Sequence, residues 1–273
     1  MLEQTQLRLT GVPRTMLMTT RARVEEHHRT DGIFRDPIVA GWWQSLQWDT
    51  DLDYFYIPIA QLTWAVRAHR FDQIAQRHAA EHEGAIAIEL GAGLSTRYYR
   101  VGQGYRYWLE LDLPVITSLR RQLDTETDSH RFLAQSALDF SWMDEISGDP
   151  RDLLIVAEGL LMYFEPAQVQ NLVDQLRCRL PGATLVFDAL GSLSQGTGAQ
   201  QFAQLGAPLK WFVEDEQTVA AMGLSLVSVQ SLIQENCQYP SRLGCFCWIA
   251  WLSQLPPIRN AGLILETTIK PLP

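Results

Sequence analysis

Cysteine is scarce in this 273-residue chain, with four residues, Cys178, Cys237, Cys245 and Cys247, in neither Cys-x-x-Cys nor zinc-finger spacing. That scarcity argues against a disulfide framework and points to free thiols in the cytoplasm. Cys245 and Cys247 are expected on one face of a strand, as small core residues. Long apolar runs are missing too: no stretch reaches about 18 uninterrupted apolar residues, so no membrane span is expected. The opening Met-Leu-Glu-Gln-Thr-Gln has no basic region followed by an apolar core, so no signal peptide is expected. Positive charge is short, with a formal net charge of −9, and a nucleic-acid partner would need a basic face. The His27-His28 pair reads as an exposed helical pair, with no further His, Cys or acidic spacing around it, so no metal site is expected. Internal repeats and a second-domain linker are absent. With 47% apolar and 19% charged residues, the composition is that of a soluble globular protein. Its length allows one domain, 1–273, with ample core.

What is present centres on Gly84-Ala-Ile-Ala-Ile-Glu-Leu-Gly-Ala-Gly-Leu-Ser-Thr-Arg97. Ala85 to Leu90 is a short apolar run bounded by glycines and reads as a buried strand. At its carboxyl end Gly91 and Gly93 can take positive φ and admit a ligand close to the main chain. A second run, Tyr105 to Leu111, ends at Asp112, about 20 residues past the first glycine, where a nucleotide-binding unit places its ribose-gripping carboxylate. A dinucleotide fold needs a third glycine for close helix packing, and that position here is Thr96. Glu89 before the glycines, the missing third glycine and the distal Asp112 favour S-adenosylmethionine, whose ammonium a carboxylate can hold. Its product would be S-adenosylhomocysteine. An NAD-dependent oxidoreductase on the same topology and a non-catalytic S-adenosylmethionine-binding protein are the alternatives.

The rest of the chain extends this pattern. Residues 1–80 read as mostly helical, with helices over Arg14 to His28 and Thr63 to Ala80, a cap ahead of an α/β core at 81–273. Between those helices lies an aromatic segment, Trp42, Trp43, Trp48, Tyr54, Phe55 and Tyr56, either core or a lid over a flat organic substrate. Pro114 can open a helix with the stripe Val115, Ile116, Leu119 and Leu123. Arg131 to Gln135 reads as a third strand. The aliphatic run Arg151 to Gly159 reads as a buried parallel strand ending at Glu158. Pro166 starts a helix stopped by Pro181-Gly182, and Ala183 to Ala189 is a fifth strand ending near Asp188. Strands alternating with helices at this rhythm mean a doubly wound, mostly parallel α/β sheet. In such sheets ligands sit at strand carboxyl ends near the switch point, where Glu89, Asp112, Ser136 and Glu158 all fall. Gly191 to Gln200 reads as a flexible loop, a solvated connector or a flap over an acceptor pocket assisted by Lys210-Trp211. Leu224 to Val229 and Leu243 to Leu252 read as two further strands.

Glu-Leu-Gly-Ala-Gly-Leu-Ser-Thr-Arg97 followed by Leu-Glu-Leu-Asp-Leu-Pro114 resembles the S-adenosylmethionine-dependent leucine carboxyl methyltransferases, and most closely their bacterial branch of tetracenomycin-type polyketide O-methyltransferases. The likeness runs from about Thr10-Gly-Val-Pro-Arg-Thr15 to the C-terminal strand. It implies a seven-stranded Rossmann-like methyltransferase sheet, with 243–252 as its inserted antiparallel strand. By the same resemblance Arg67, in Trp64-Ala-Val-Arg-Ala-His-Arg-Phe-Asp72, would meet the methionine carboxylate of the cofactor, and bidentate pairing suits a guanidinium. Arg70 and Arg97 compete for that role. Ser136 and Ala137 would border the adenine by register, although many relatives carry an acid at Ser136. Glu158 would lie beside the cofactor and Tyr163 on the substrate side, orienting a small-molecule methyl acceptor. The carboxyl-methylating eukaryotic branch has an arginine where Leu138 stands, which counts against a phosphatase C-terminus as substrate. The expected acceptor is a carboxyl or phenolic oxygen of a polyketide-like or other secondary metabolite. No general base stands out; His69 is a weaker candidate on the helix that carries Arg67.

Overall fold

The computed structural model describes residues 9–272, so the N-terminal stretch that argued against a signal peptide lies outside the described residues. Three helices come first, α1 (Val12–His28), α2 (Pro37–Trp43) and α3 (Pro58–Glu81). Each has proline in its first turn, where the missing N–H costs no hydrogen bond. Then come β1 (Ile86–Leu90), α4 (Arg97–Val101), β2 (Tyr107–Asp112), α5 (Pro114–Leu123), β3 (His130–Ala134), β4 (Leu153–Ala157), α6 (Pro166–Arg179) and β5 (Thr184–Leu190). The chain closes with α7 (Thr197–Gln204), α8 (Glu216–Ala221), β6 (Leu224–Ser231), α9 (Leu232–Asn236), α10 (Pro240–Leu243), α11 (Ile249–Leu252), α12 (Pro256–Arg259) and β7 (Gly262–Ile269). The seven strands form one sheet in the order β3-β2-β1-β4-β5-β7-β6; β1 to β5 run parallel and β7 is antiparallel to both neighbours.

The apolar strands are buried on both faces because helices cover each side. Ile86, Ile88 and Leu90 of β1 point into the layer shared with Val169, Leu172, Val173 and Leu176 of α6. Ala85 and Ala87 point the other way, into the layer with Phe71, Ile74 and Ala75 of α3. Burying each large aliphatic of α6 contributes about 2 kcal/mol relative to leaving it in water. Strict alternation places the next odd residue, Glu89, on the α3 face as well, so a carboxylate enters a helix-covered layer. The strand order reverses between β1 and β4, which puts the open crevice at the carboxyl ends of those two strands.

Two expected elements differ. The 243–252 stretch is not a strand: it folds as α10, a 3-10 turn over Gly244–Phe246 and α11, and the seventh strand is β7 further on. A short apolar run fits strand or helix equally well by pattern, and here Trp248, Trp251, Leu252 and Leu255 follow helical spacing. Gly-Leu-Ile-Leu-Glu-Thr-Thr-Ile269, with its β-branched residues, fills the slot between β5 and β6 instead. Cys245 and Cys247 are accordingly exposed and not core. The 191–200 stretch is also not a plain loop: a 3-10 turn, Ser192–Gln195, leads into α7, where the Ala/Gln run supplies good helix formers. Most of the aromatic segment packs against the core: Trp42 is buried, Trp43, Trp48, Phe55 and Tyr56 are half-buried, and Tyr54 is exposed. Trp42 packs with Leu94 and Leu119, while Trp48, Phe55 and Tyr56 pack around Leu17, Met18 and Leu52. None of its six members borders the crevice. Val115 is exposed, so the buried stripe of α5 begins at Ile116.

Candidate active site

One cavity of about 580 Å³ opens at the β1/β4 switch point. All nine residues singled out from the sequence border it: Arg67, Glu89, Gly91, Gly93, Asp112, Ser136, Ala137, Glu158 and Tyr163. They come from the carboxyl ends of β1, β2, β3 and β4 and from α3, so the sheet alone brings together groups nearly a hundred residues apart.

The glycine turn is shaped by backbone need. Gly91 has φ +64, and a Cβ there would stand 2.7 Å from Leu160 Cδ1; Gly93 has φ +56. Both conformations are costly for any residue with a side chain. The Gly93 N–H donates to Asp112 Oδ2 at 2.7 Å and the Leu113 N–H to Oδ1 at 2.7 Å. Asp112 is thereby aimed by two amides while keeping acceptor capacity for hydroxyl groups. Burial raises its carboxyl, and those two hydrogen bonds oppose the rise.

Behind the turn lies a buried network of arginines and carboxylates. Arg97, 1% exposed, donates to Asp72 at 2.9 Å and also to Glu89 and Glu158. Arg67 donates through Nε to Glu158 at 3.0 Å and through Nη1 to Asp188 at 2.8 Å. The Gly159 N–H donates to Asp188 at 2.6 Å. Burial would raise the Glu158 carboxyl, but the charges of Arg67 and Arg97 outweigh it and hold it at about 2. Burial pushes Glu89 up to about 7 against the pull of Arg97. Burial also raises Asp188, with Arg67 opposing. The three arginines differ in their partners. Arg70 pairs with Glu235 away from the cavity, and Arg97 is committed to three carboxylates. Arg67 retains Nη2, which donates to no protein group among the described residues and lies beside Gly159, where a Cβ would approach to 3.1 Å.

Much of the remaining cavity wall is apolar, with Met16 set against Gly93 of the turn and with Trp64, Met162, Phe164, Phe202 and Leu209. Its polar groups include the Tyr163 hydroxyl, which donates to Thr15 Oγ1 at 3.3 Å, while Thr15 donates to the Val12 carbonyl at 2.7 Å. Burial raises the Tyr163 phenol, with the Thr15 bond opposing. No histidine borders this cavity among the described residues; His69 lines a separate one. Asp188, Gly159 and the structural role of Arg97 escaped sequence reading. Asp188 left a signal, a lone charge inside the apolar run Leu185 to Leu190. Arg97 left none, because adjacency to the glycine turn says nothing of which carboxylates it meets. Among the described residues no group of three His, Cys, Asp or Glu side chains could hold a metal ion, and no helix is long and apolar enough to cross a membrane.

The donor set suits S-adenosylmethionine. Glu89 Oε2 is buried without a hydrogen-bond partner, a site for an ammonium, and Arg67 Nη2 stands free for a carboxylate. Asp112 stands at the strand tip with acceptor capacity that would suit ribose hydroxyls, beside the glycine turn.

Comparison with known proteins agrees. A model of the leucine carboxyl methyltransferase family matches residues 15–177, more than half of the chain. The chain is 27% identical over 271 residues to the tetracenomycin polyketide synthesis O-methyltransferase TcmP of Streptomyces glaucescens, covering 96% of this chain and 98% of that protein. Among solved structures, an O-methyltransferase family protein from Burkholderia thailandensis superposes with a TM-score of 0.50 at 13% identity, over 91% of this chain and 76% of the other. That last likeness is one of fold.

Proposed function

The chain belongs to the leucine carboxyl methyltransferase family and is an S-adenosylmethionine-dependent methyltransferase, and on that premise we propose that it methylates a carboxyl or phenolic oxygen of a small, polyketide-like molecule. Family membership sets aside the NAD-dependent reading. The observation that carries the proposal is the mixed lining of the cavity, which joins the charged groups at the strand tips to Met, Trp and Phe side chains. A wall of Met, Trp and Phe side chains suits a flat apolar acceptor. We read the helices ahead of β1 as a cap over the α/β core of one domain, since α1 and α3 supply part of that wall. The four free cysteines fit a reducing, cytoplasmic setting.

In this reading Glu89 holds the ammonium, Arg67 the carboxylate, Asp112 the ribose, and Ser136 with Ala137 borders the adenine. When bound, the cofactor supplies a methyl group already activated by the sulfonium, so the chain's own task is alignment. Holding acceptor oxygen and methyl carbon in line is worth up to roughly 7–11 kcal/mol in favourable models. The acids at the cavity are tied up: Glu89, Glu158 and Asp188 by arginines and Asp112 by backbone amides. A carboxylate acceptor needs no base; a phenol would arrive with its own acidity. Tyr163, next to Thr15, orients the acceptor through its hydroxyl.

A methyl-transfer assay over aromatic acids and phenols tests the proposal. Methylation of nitrogen or carbon acceptors only would overturn it. In the same assay Tyr163→Phe is expected to lower turnover several-fold, losing one hydrogen bond of about 1 kcal/mol, with cofactor affinity unchanged. The reverse pattern would move Tyr163 away from the acceptor.

Glu89 predicts a pH dependence. Its folded carboxyl stands above the ordinary value of 4.5, so its contribution to ligand-free stability is present at low pH and is lost as pH rises through about 7. An ammonium ligand needs the anion, so S-adenosylhomocysteine is expected to bind more tightly at about pH 8 than at about pH 6 and to release protons on binding near the lower pH. Calorimetry in buffers of different ionisation heat measures that release. Equal affinity with no release would remove Glu89 from the ammonium site.

A further inference from the structure

Arg23 is a buried cation whose burial is not returned by a close ion pair. It lies on α1 and is 7% exposed, and its nearest salt-bridge carboxylate, Asp36 Oδ2, stands 3.9 Å away. Burial lowers its guanidinium to about 10, Asp36 opposing. A desolvated charge of this kind costs stability unless its hydrogen bonds are filled. They are filled by the glycine turn: Nη2 donates to the Leu94 carbonyl at 2.8 Å and Nη1 to Thr96 Oγ1 at 2.9 Å. Its stem is braced on its own helix, through the Thr19 carbonyl at 3.4 Å and Thr20 Oγ1 at 3.5 Å.

Thr96 occupies the position where a dinucleotide fold would carry its third glycine. Its hydroxyl is the meeting point of three elements. It donates to Asp36, the N-cap of α2, and accepts from Arg23 of α1 and from Arg100 of α4 at 2.7 Å. From the far side Arg120 of α5 donates to the next carbonyl, Ser95. Successive carbonyls of the turn are thus gripped from α1 and from α5, and the turn cannot rotate the Gly93 N–H away from Asp112 without breaking charge-assisted bonds. The same α1 borders the cavity at Thr15, Met16, Thr19 and Arg23 itself, whereas Thr96 stands behind the turn.

We infer that Arg23 and Thr96 are positioning residues, through which the N-terminal helix holds the cofactor turn in its binding geometry. The inference rests on the turn being the S-adenosylmethionine site. Pre-organised first-layer groups depend on such supporting bonds, whose loss typically costs about tenfold or more in affinity at comparable sites.

The test is calorimetric titration of S-adenosylhomocysteine into the full chain, well below its melting temperature, for wild type, Arg23→Gln, Thr96→Val and Thr96→Ser, with the melting temperature of each ligand-free protein recorded. Arg23→Gln and Thr96→Val are expected to raise Kd about tenfold or more, and Thr96→Ser, which keeps the hydroxyl, to restore it. A purely structural role would lower the melting temperature and leave Kd within about twofold; that result overturns the inference. Should Arg23→Gln fail to fold, the near-isosteric Thr96→Val decides alone. No binding by wild type would instead strike at the cofactor site itself.

Discussion

Asp112→Ala is expected to weaken S-adenosylhomocysteine binding about a hundredfold while leaving the melting temperature of the ligand-free protein nearly unchanged. The magnitude follows from two charge-assisted hydrogen bonds to ribose hydroxyls at about 1.5 kcal/mol each, about 3 kcal/mol in all. The fold survives because Asp112 is half-buried at a strand tip and its two backbone partners belong to the turn and to the exposed start of α5. Gly93 and Leu113 border the cavity, so water can take the place of the carboxylate at those N–H groups, which a core amide would not allow. Asp112→Asn should fall between, since an amide keeps one acceptor oxygen and loses the charge. Titration calorimetry reads both variants, and wild-type affinity in Asp112→Ala would mean that the β2 carboxylate does not face the ligand.

Arg97→Leu is expected to have the largest effect on stability. Arg97 is buried against Asp72, Glu89 and Glu158, and removing it leaves Glu89 buried with no cation partner, while Asp72 keeps Arg100 and Glu158 keeps Arg67. Breaking a buried pair by deleting one partner costs about 3–5 kcal/mol. At 2–4 °C per kcal/mol for chains of about this size, melting should fall by roughly 6–20 °C. Lysine should not rescue it, because one ammonium on a flexible stem cannot reproduce a planar fork with three directed donors. The deficit has a sign in pH. Burial already raises Glu89, and without Arg97 the rise is unopposed from that side, so the variant should lose stability relative to wild type as pH increases. A thermal melt across pH shows this, and a deficit independent of pH would mean that lost packing dominates.

Pattern alone carried the sheet order's ingredients: glycine-bounded apolar runs, helices opening on Pro114 and Pro166, and acids at strand ends. It failed where length and hydrophobicity admit two periods, as at 243–252, where neighbours outside the segment chose helix and left β7 to take the sheet slot. It also read 191–200 by its glycines and missed the helix formers that follow.

By itself the sequence determined that a glycine turn follows the first strand, with Glu89 ahead of it and Asp112 at the tip of the next strand, because strand periodicity and the twenty-residue spacing leave little freedom. Only the tertiary structure decided which arginine keeps an open edge beside that turn. Arg67, Arg70 and Arg97 are equivalent as side chains, and their partners lie up to 168 residues away. Whether a guanidinium is spent on three carboxylates or left with an open edge depends on which strand tips the sheet places beside it, a property of packing that no local pattern encodes.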